Sequence, residues 1–449
     1  MKLSTFHNIY FIGIGGIGMS ALASYFHAAQ KSVSGYDKTP SENTNTLENV
    51  GISISYTDDV DSVHSMFLDN SKTLVVYTPA VPQTNSILTY FNTHNFTVLK
   101  RSEVLGLITK DTFCLAIAGT HGKTTTTSIL GHLMIEANQN MTAFLGGISE
   151  NYNSNLIQNG NMATVVEADE FDRSFMTLSP NFACITSMDA DHLDVYGDKE
   201  SLKQSFLDFS NNIDPNGKLF VHEALNIKGI SYGVESNTDY SATNVRIING
   251  AYSFDLKTPS SLHKEFKFHL PGKHNLNNAV AALAMALEYG CSVQKLYSAM
   301  NSYRGVKRRF SYKIKNESFV FIDDYAHHPK EIDAVHQAIL EMHPNKKITA
   351  VFQPHLFSRT QDFADDFAHS LSVFDAVLLL EIYPARELPI SGVNSLWLLE
   401  KINAPIKKLV SKTGLFEAIE SINYPVLVTM GAGDIGALVE PLSKELEHA

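Results

Sequence analysis

The chain has 449 residues, which at roughly 150 residues per domain predicts about three domains. Charged residues make up 18% and hydrophobic residues 44%, which excludes a long disordered tail, a collagen-like repeat and a small disulfide-stapled domain. Lys and Arg number 35 against 47 Asp and Glu, so the net charge is −12. That argues against a protein that coats nucleic acid, but it leaves small anionic ligands allowed, because they feel the local field.

The chain opens on an uncharged run, Ile9 to Phe26, that follows Lys2 and imitates a secretory signal. Gly13, Gly15, Gly16 and Gly18 interrupt it, so a strand, a glycine turn and a helix explain it better than a membrane span. No membrane partner is expected. Cys114, Cys184 and Cys291 are far apart, and two lie in apolar runs. They read as buried, reduced thiols, and the expected compartment is the cytoplasm.

Short β-rich apolar runs then alternate with helical stretches. Strands are predicted at Asn8–Ile14, Thr73–Thr78, Phe113–Ala118, Ala163–Glu167, Ala183–Ser187, Phe319–Asp323, Ile348–Phe352, Ala376–Leu380 and Val426–Met430. Helices are predicted between most of them, as at Thr124–Ala137, Leu276–Tyr289 and Pro329–Met342. The alternation predicts an α/β fold with mostly parallel sheets. Between about 225 and 270 the pattern turns short, polar and hairpin-like, which predicts an antiparallel insertion. Boundaries fall near 105 and 310, giving domains 1–105, 106–310 and 311–449. The acidic surplus lies mainly in the last of these, where 12 basic residues face 19 acidic ones.

The first glycine cluster, Gly13-Ile-Gly-Gly-Ile-Gly18, fits a dinucleotide with Asp37 as ribose partner. It fits any diphosphate-bearing nucleotide equally well. The second, Gly119-Thr-His-Gly-Lys-Thr124, follows an apolar strand and opens a helix. Backbone N–H groups there can point at phosphate oxygens, Lys123 can reach the terminal phosphates, and the Thr124 hydroxyl can ligate Mg²⁺. The usual loop has a further glycine at the position of Ile117, so this one is shortened. Two acidic strand ends follow, Glu167-Ala-Asp-Glu-Phe-Asp172 and Asp189-Ala-Asp-His-Leu-Asp194. Carboxylates at the carboxyl ends of parallel strands share the crevice of such a loop and can hold Mg²⁺; they can also be helix caps or solvated turns.

Further on, Asn275 and Asn278 in Gly272-Lys-His-Asn-Leu-Asn-Asn278 can reach a base, and Asn275 is equally a good N-cap. In Lys307-Arg308-Arg309 an arginine can close over a transferring phosphoryl group, or the three form a solvated linker. Asp323-Asp-Tyr-Ala-His-His-Pro-Lys330 and Gln353-Pro-His-Leu-Phe-Ser-Arg359 each follow a strand, and Arg359 can fork onto a carboxylate. Gly431-Ala-Gly-Asp-Ile-Gly436 is a ligand loop or a tight turn.

Taken together and in order, these motifs resemble the Mur ligase family of ATP-dependent amide-forming ligases in peptidoglycan precursor assembly. The resemblance spans the chain and rests on Gly119–Thr124, Glu167, the pair Asp191-His192, His274-Asn275 with Asn278, Arg309 and Asp324. It implies three domains: a Rossmann-like first domain for a UDP-sugar, a central phosphate-loop ATPase domain, and a Rossmann-like third domain for the amino acid. Gly13-Ile-Gly-Gly-Ile-Gly-Met-Ser20, the run of threonines to Thr127, Asp323 to Pro329 and Phe352 to Thr360 resemble the branch that joins L-alanine to the lactyl carboxylate of UDP-N-acetylmuramate.

The resemblance assigns Gly119, Thr120, His121, Gly122, Lys123, Thr124 and Thr125 to ATP, helped by Asn275, Asn278, Arg309 and Asp324. It assigns Gly15, Gly16 and Gly18 to the UDP diphosphate. Thr124 and Glu167 would hold one Mg²⁺ and His192 a second, with Mn²⁺ as an alternative metal. Lys123, His192, Arg309, His328 and Arg359 would carry the chemistry, His328 and Arg359 by positioning the amino acid. The expected assembly is a monomer or a homodimer. Three departures stand out. Leu356 occupies a position where this branch often has a second arginine. Glu170-Phe-Asp-Arg-Ser174 is bulkier than usual and resembles the related tripeptide-recycling ligase, which remains the alternative. No lysine lies between Gln204 and Asn212, where other members carry a carbamylated one.

Overall fold

The computed structural model describes residues 2–189, 196–248, 250–385 and 387–448. Among these residues the strands form three sheets of five, ten and six. The first contains β1 (Asn8–Ile12), β2 (Ser32–Tyr36), β3 (Ser53–Ser55), β4 (Thr73–Tyr77) and β5 (Thr97–Lys100) in the order β3-β2-β1-β4-β5, parallel throughout. Every residue of β1 is buried, which is why it reads as a continuous apolar run with no alternation. The opening run is thus a strand, a glycine turn and the helix Ile17–Ala28. No helix among the described residues is long and apolar enough to cross a membrane.

The second sheet contains β6 (Phe113–Ala118), β7 (Met141–Ser149), β8 (Ser154–Gln158), β9 (Ala163–Ala168), β10 (Phe182–Ile185), β11 (Lys218–His222), β12 (Ile230–Val234), β13 (Tyr240–Ile248), β14 (Ala251–Lys257) and β15 (Leu262–Phe268). Its order is β15-β14-β13-β12-β11-β10-β6-β9-β7-β8. β6 lies between β9 and β10, parallel to both, with Ala118 in register with Ala168 and with Ile185. The chain leaves β6 to one side and returns on the other, which opens a crevice beyond the three carboxyl ends.

The hairpin expected from about 225 to 270 differs in its first step, because β12 and β13 pair in parallel. Asp239 accepts from the Ser231 N–H at 2.8 Å and hydroxyl at 2.7 Å, and the Glu235 N–H reaches the Ala242 carbonyl at 2.8 Å. The short polar segment therefore carries the chain back, and the strand resumes in its former direction.

The third sheet contains β16 (Ser311–Lys315), β17 (Val320–Asp324), β18 (Ile348–Phe352), β19 (Ala376–Leu379), β20 (Ile406–Leu409) and β21 (Val426–Met430) in the order β16-β17-β21-β18-β19-β20. Only β16 runs antiparallel. Asp324, Met430 and Phe352 are in register, so the turns after β17, β21 and β18 share one edge.

These three α/β domains fall into two compact units. One is Met1–Val245 with Phe254–Lys267 and Asn277–Arg304; the other is Arg246–Ser253 and Phe268–Leu276 with Gly305–Ala449. The first two sheets lie in the same unit for a physical reason. One buried cluster runs through both, including Phe11, Leu22, Val104, Cys114, Phe144 and Phe175. Polar contacts add to it: the Asn155 amide donates to the Ile17 carbonyl at 2.7 Å and to the Ser20 hydroxyl at 2.8 Å. All three cysteines are buried and free.

Candidate active site

The crevice of the first unit begins at Gly119, with φ +132°, and ends at Gly122, with φ +84°, which caps the helix Lys123–Glu136. A Cβ on Gly119 would lie 2.2 Å from the Thr186 hydroxyl oxygen, and one on Gly122 would lie 2.6 Å from Asn278 Oδ1. Both positions therefore need glycine for conformation and for space. The loop is braced from β10 and the turn after it. Thr186 donates to the Ala118 carbonyl at 3.1 Å, and Ser187 Oγ accepts the His121 N–H at 2.8 Å and meets the Thr120 hydroxyl at 2.9 Å. His121 Nε2 lies 3.7 Å from Asp189. Thr125 is buried in the first helical turn. Free N–H groups at this helix start form a cradle for phosphate.

Three carboxylates stand at the carboxyl end of β9, each with its own partner. Glu167 accepts the Thr124 hydroxyl at 3.1 Å and the Gly146 N–H. Burial raises its pKa above the ordinary carboxylate value. Asp169 Oδ2 lies 4.0 Å from Arg101 Nη2. Glu170 is fully buried and receives Lys123 Nζ at 2.7 and 2.9 Å; the same ammonium donates to the Gly119 carbonyl at 2.6 Å. Burial works against the Lys123 charge, but Glu170, Asp169 and Glu167 outweigh it and hold its pKa above the usual lysine value.

The Thr124 and Glu167 oxygens are hard donors that converge beside the phosphate cradle, so they fit Mg²⁺. The described residues hold no group of three or more His, Cys, Asp or Glu that could bind a metal alone. Two protein oxygens completed by phosphate and water is the usual arrangement for Mg²⁺. His192, Asp191 and Asp194 lie outside the described residues.

A cavity of about 250 Å³ joins this acidic run to the first glycine turn. Gly16, Gly18 and Arg101 line one part of it, and Gly146, Glu167 and Asp169 another. Gly15 is not among the residues that line it. Its N–H is taken by Asp37 at 2.7 Å and its carbonyl by the Asn43 amide at 2.8 Å. Asp37, read from the sequence as a ribose partner, is here the brace of the turn. Arg101 was not singled out from the sequence, although it is a cation at the start of the helix Arg101–Lys110, directly after β5. Gly18 leaves room for it, since a Cβ there would lie 2.9 Å from Arg101 Nη1.

In the second unit, Asp324 is buried and accepts the N–H groups of Phe310 at 2.7 Å and Ala326 at 2.7 Å. Burial lifts its pKa to about 6, against the pull of Arg309. Arg308 bonds Asp323 at 3.3 Å and the Gly431 carbonyl at 2.6 Å, Arg309 lies 4.0 Å from Glu331, and both guanidinium groups lie over the Tyr325 ring. The Asn275 amide is committed to the Pro271 carbonyl at 2.6 Å.

The histidine pair divides. His328 caps the helix Pro329–Met342 and sets its ring edge-on against Phe363. His327 lies 3.3 Å from Glu331 with its ring 6.2 Å from that of His355, and His355 Nδ1 is 3.4 Å from Arg359. Burial lowers the pKa of His327. His327 shares the cluster of Arg359, and His328 packs on Phe363, whose N–H bonds the Arg359 carbonyl at 3.1 Å. Ser358, beside Arg359, is held by Glu387 through its N–H at 3.0 Å and its hydroxyl.

A braced glycine loop with its own lysine, flanked by a buried carboxylate and opening on a second glycine turn, defines a phosphate-loop enzyme. Family models match in chain order: Mur ligase family, catalytic domain, at residues 8–112; Mur ligase middle domain at 117–286; and Mur ligase, glutamate ligase domain, at 308–433. The chain is 58% identical to the UDP-N-acetylmuramate–L-alanine ligase of Flavobacterium psychrophilum over 100% of both chains. It is 58% identical to that of Christiangramia forsetii over 99% of both. The crystal structure of UDP-N-acetylmuramate–alanine ligase from Thermotoga maritima superposes with a TM-score of 0.82 at 28% identity, covering 98% of this chain and 99% of that one. The murein peptide ligase of Psychrobacter arcticus shares the fold at a TM-score of 0.69 and 20% identity over 98% and 99%. The chain belongs to the Mur ligase family of ATP-dependent ligases.

Proposed function

We propose that the protein joins L-alanine to the lactyl carboxylate of UDP-N-acetylmuramate at the expense of ATP. The observation that carries this reading is the cavity that runs from Gly16 and Gly18 to Glu167 and Asp169. A diphosphate held at the glycine turn, with help from Arg101, leaves the far end of the sugar nucleotide at the acidic crevice, where ATP would present its γ-phosphate. The relatives' names agree, and they do not favour the tripeptide-recycling alternative.

A carboxylate is a poor acylating agent, so it attacks the γ-phosphate first. That step forms an acyl phosphate and releases ADP. Lys123 and the helix N-terminus stabilise charge developing on the transferred phosphoryl oxygens. Mg²⁺, held by Thr124 and Glu167, would supply further neutralisation there; His192 remains the proposed ligand of a second ion. The amine of L-alanine then attacks the acyl carbon, loses a proton, and expels phosphate. Arg359, with His327 and His355 packed around it, takes the amino acid's carboxylate and converts a bimolecular encounter into an oriented one. Asn278, beside Gly122, completes the ATP site within the first unit; Arg309 and Asp324 are the further ATP ligands that the family resemblance proposes. The division of labour follows domains 1–105, 106–310 and 311–449 for sugar nucleotide, ATP and amino acid.

Phosphate release with UDP-N-acetylmuramate and ATP, measured across L-alanine, glycine, L-serine and a tripeptide, tests the reading. L-Alanine should give the highest kcat/KM; a preference for the tripeptide would replace this reading with the recycling one. Arg359→Ala should raise the KM for the amino acid by roughly 10–100-fold. A change confined to the KM for ATP would show that Arg359 is wrongly assigned.

A further inference from the structure

The ammonium of Lys123 is held on two sides. Both oxygens of Glu170 lie within hydrogen-bond distance, at 2.7 and 2.9 Å, and the Gly119 carbonyl lies at 2.6 Å, with the Thr120 carbonyl at 3.5 Å. A phosphate oxygen that draws the ammonium towards itself must loosen part of this hold. Glu170 is fully buried, and the lysine side chain is only 15% exposed. Water therefore screens this pair poorly, and its charges interact strongly. The backbone of Glu170 is also pinned. Its carbonyl accepts the Tyr196 hydroxyl at 2.5 Å and the Arg173 N–H at 2.9 Å. The carboxylate is thus presented from a fixed point, and the exchange of partners falls to the lysine.

Glu170 differs in this from its two acidic neighbours. Glu167 faces a hydroxyl and a backbone N–H, and Asp169 faces Arg101. Of the three, Glu170 is the one that bonds the lysine on which the phosphate chemistry depends.

We propose that Glu170 is a positioning residue that parks Lys123 in the nucleotide-free enzyme and releases part of its hold when the phosphates of ATP arrive. The proposal rests on Lys123 being the lysine that serves ATP. Parking has two consequences of opposite sign. It costs ATP affinity, because a buried ion pair must be partly opened on binding. It also aids turnover, because the ammonium is held at the loop and does not swing away. A Glu170→Gln variant keeps the shape and one acceptor but removes the charge. Its Lys123 is left undercompensated when the site is empty, and a phosphate can compensate it when the site is full.

The test is calorimetric titration of Mg-ATP into wild type and Glu170→Gln, together with kcat for L-alanine ligation. The expected result is a Kd for ATP that falls by roughly tenfold while kcat falls by a similar factor. The melting-temperature increase on adding Mg-ATP should be larger in the variant than in wild type. A purely structural carboxylate would weaken ATP binding and turnover together. A Kd that rises or stays the same in the variant overturns the proposal. Glu170→Asp keeps the charge but withdraws it from the lysine, so its Kd should fall between the two; it also carries the test if Glu170→Gln does not fold. If wild type neither binds ATP nor ligates, the functional reading fails. If wild type does both and the variants show no opposite-sign shift, only the parking role fails.

Discussion

The two glycine turns of the first unit look alike in sequence and differ in what they are built to do. Each follows a buried strand of a mostly parallel sheet and opens a helix. At the first, the helix cap is Gly16 with φ −60°, a conformation open to any residue, and no heavy atom comes within 3.6 Å of a Cβ placed there. The cation beside it, Arg101, comes from the helix Arg101–Lys110, far along the chain. Both turns open on a left-handed, closely packed glycine, Gly13 with φ +85° and Gly119 with φ +132°, but at the second the helix cap, Gly122, is left-handed and closely packed too, and the loop carries its own cation in Lys123. On the proposed function, the comparison teaches that a glycine turn at a helix start suffices to hold phosphate. Phosphoryl transfer further requires a lysine on the loop and a set of carboxylates that neutralise it and seat a metal.

That contrast can be broken by substitution. Lys123→Ala should reduce kcat by roughly 10³-fold or more while leaving the fold intact, because the transferring phosphoryl loses its cation. Phosphate release would show this directly, and substantial residual ligation would mean that the two turns do not divide the work as described. Gly119→Ala should follow. The strain of a side chain at φ +132° and its clash with Thr186 should lower kcat/KM for ATP by roughly 10²-fold and reduce the melting temperature. Arg101→Ala should raise the KM for UDP-N-acetylmuramate by about tenfold and leave the KM for ATP alone. An equal effect on both would merge two sites that the comparison separates. Gly16→Ala should be the mildest change, with the melting temperature within about a degree of wild type and any loss confined to the KM of the sugar nucleotide.

Much of this arrangement was legible in the sequence because it depends on short spacings. Gly119, Lys123 and Thr124 lie within one turn, and the strand before them is a plain apolar run. The nearness of Thr124 and Glu167 follows from the general rule that carboxyl ends of parallel strands share a crevice. What was not legible depends on backbone phase or on distance through the fold. Glu167, Asp169 and Glu170 look equivalent in an acidic run, and only the geometry gives each a different partner. His327 and His328 are adjacent, but one joins the cluster of Arg359 while the other caps a helix and packs on Phe363. Asp37 has the spacing of a ribose ligand, yet its carboxylate is taken up by the Gly15 N–H. The parallel pairing of β12 and β13 was hidden because the intervening residues have the composition of a hairpin.

The crowding around Gly119 and Gly122 has a further consequence for inhibition. At neither position can a side chain enter without meeting Thr186, Ser187 or Asn278 at 2.2 to 2.8 Å, and both backbones are left-handed. A small molecule that gripped the amide hydrogens of this loop, and little else, would be reading groups that no single substitution can relocate at low cost. Escape would have to come from the residues that brace the loop, and a selection experiment would find resistance there before it found it at either glycine.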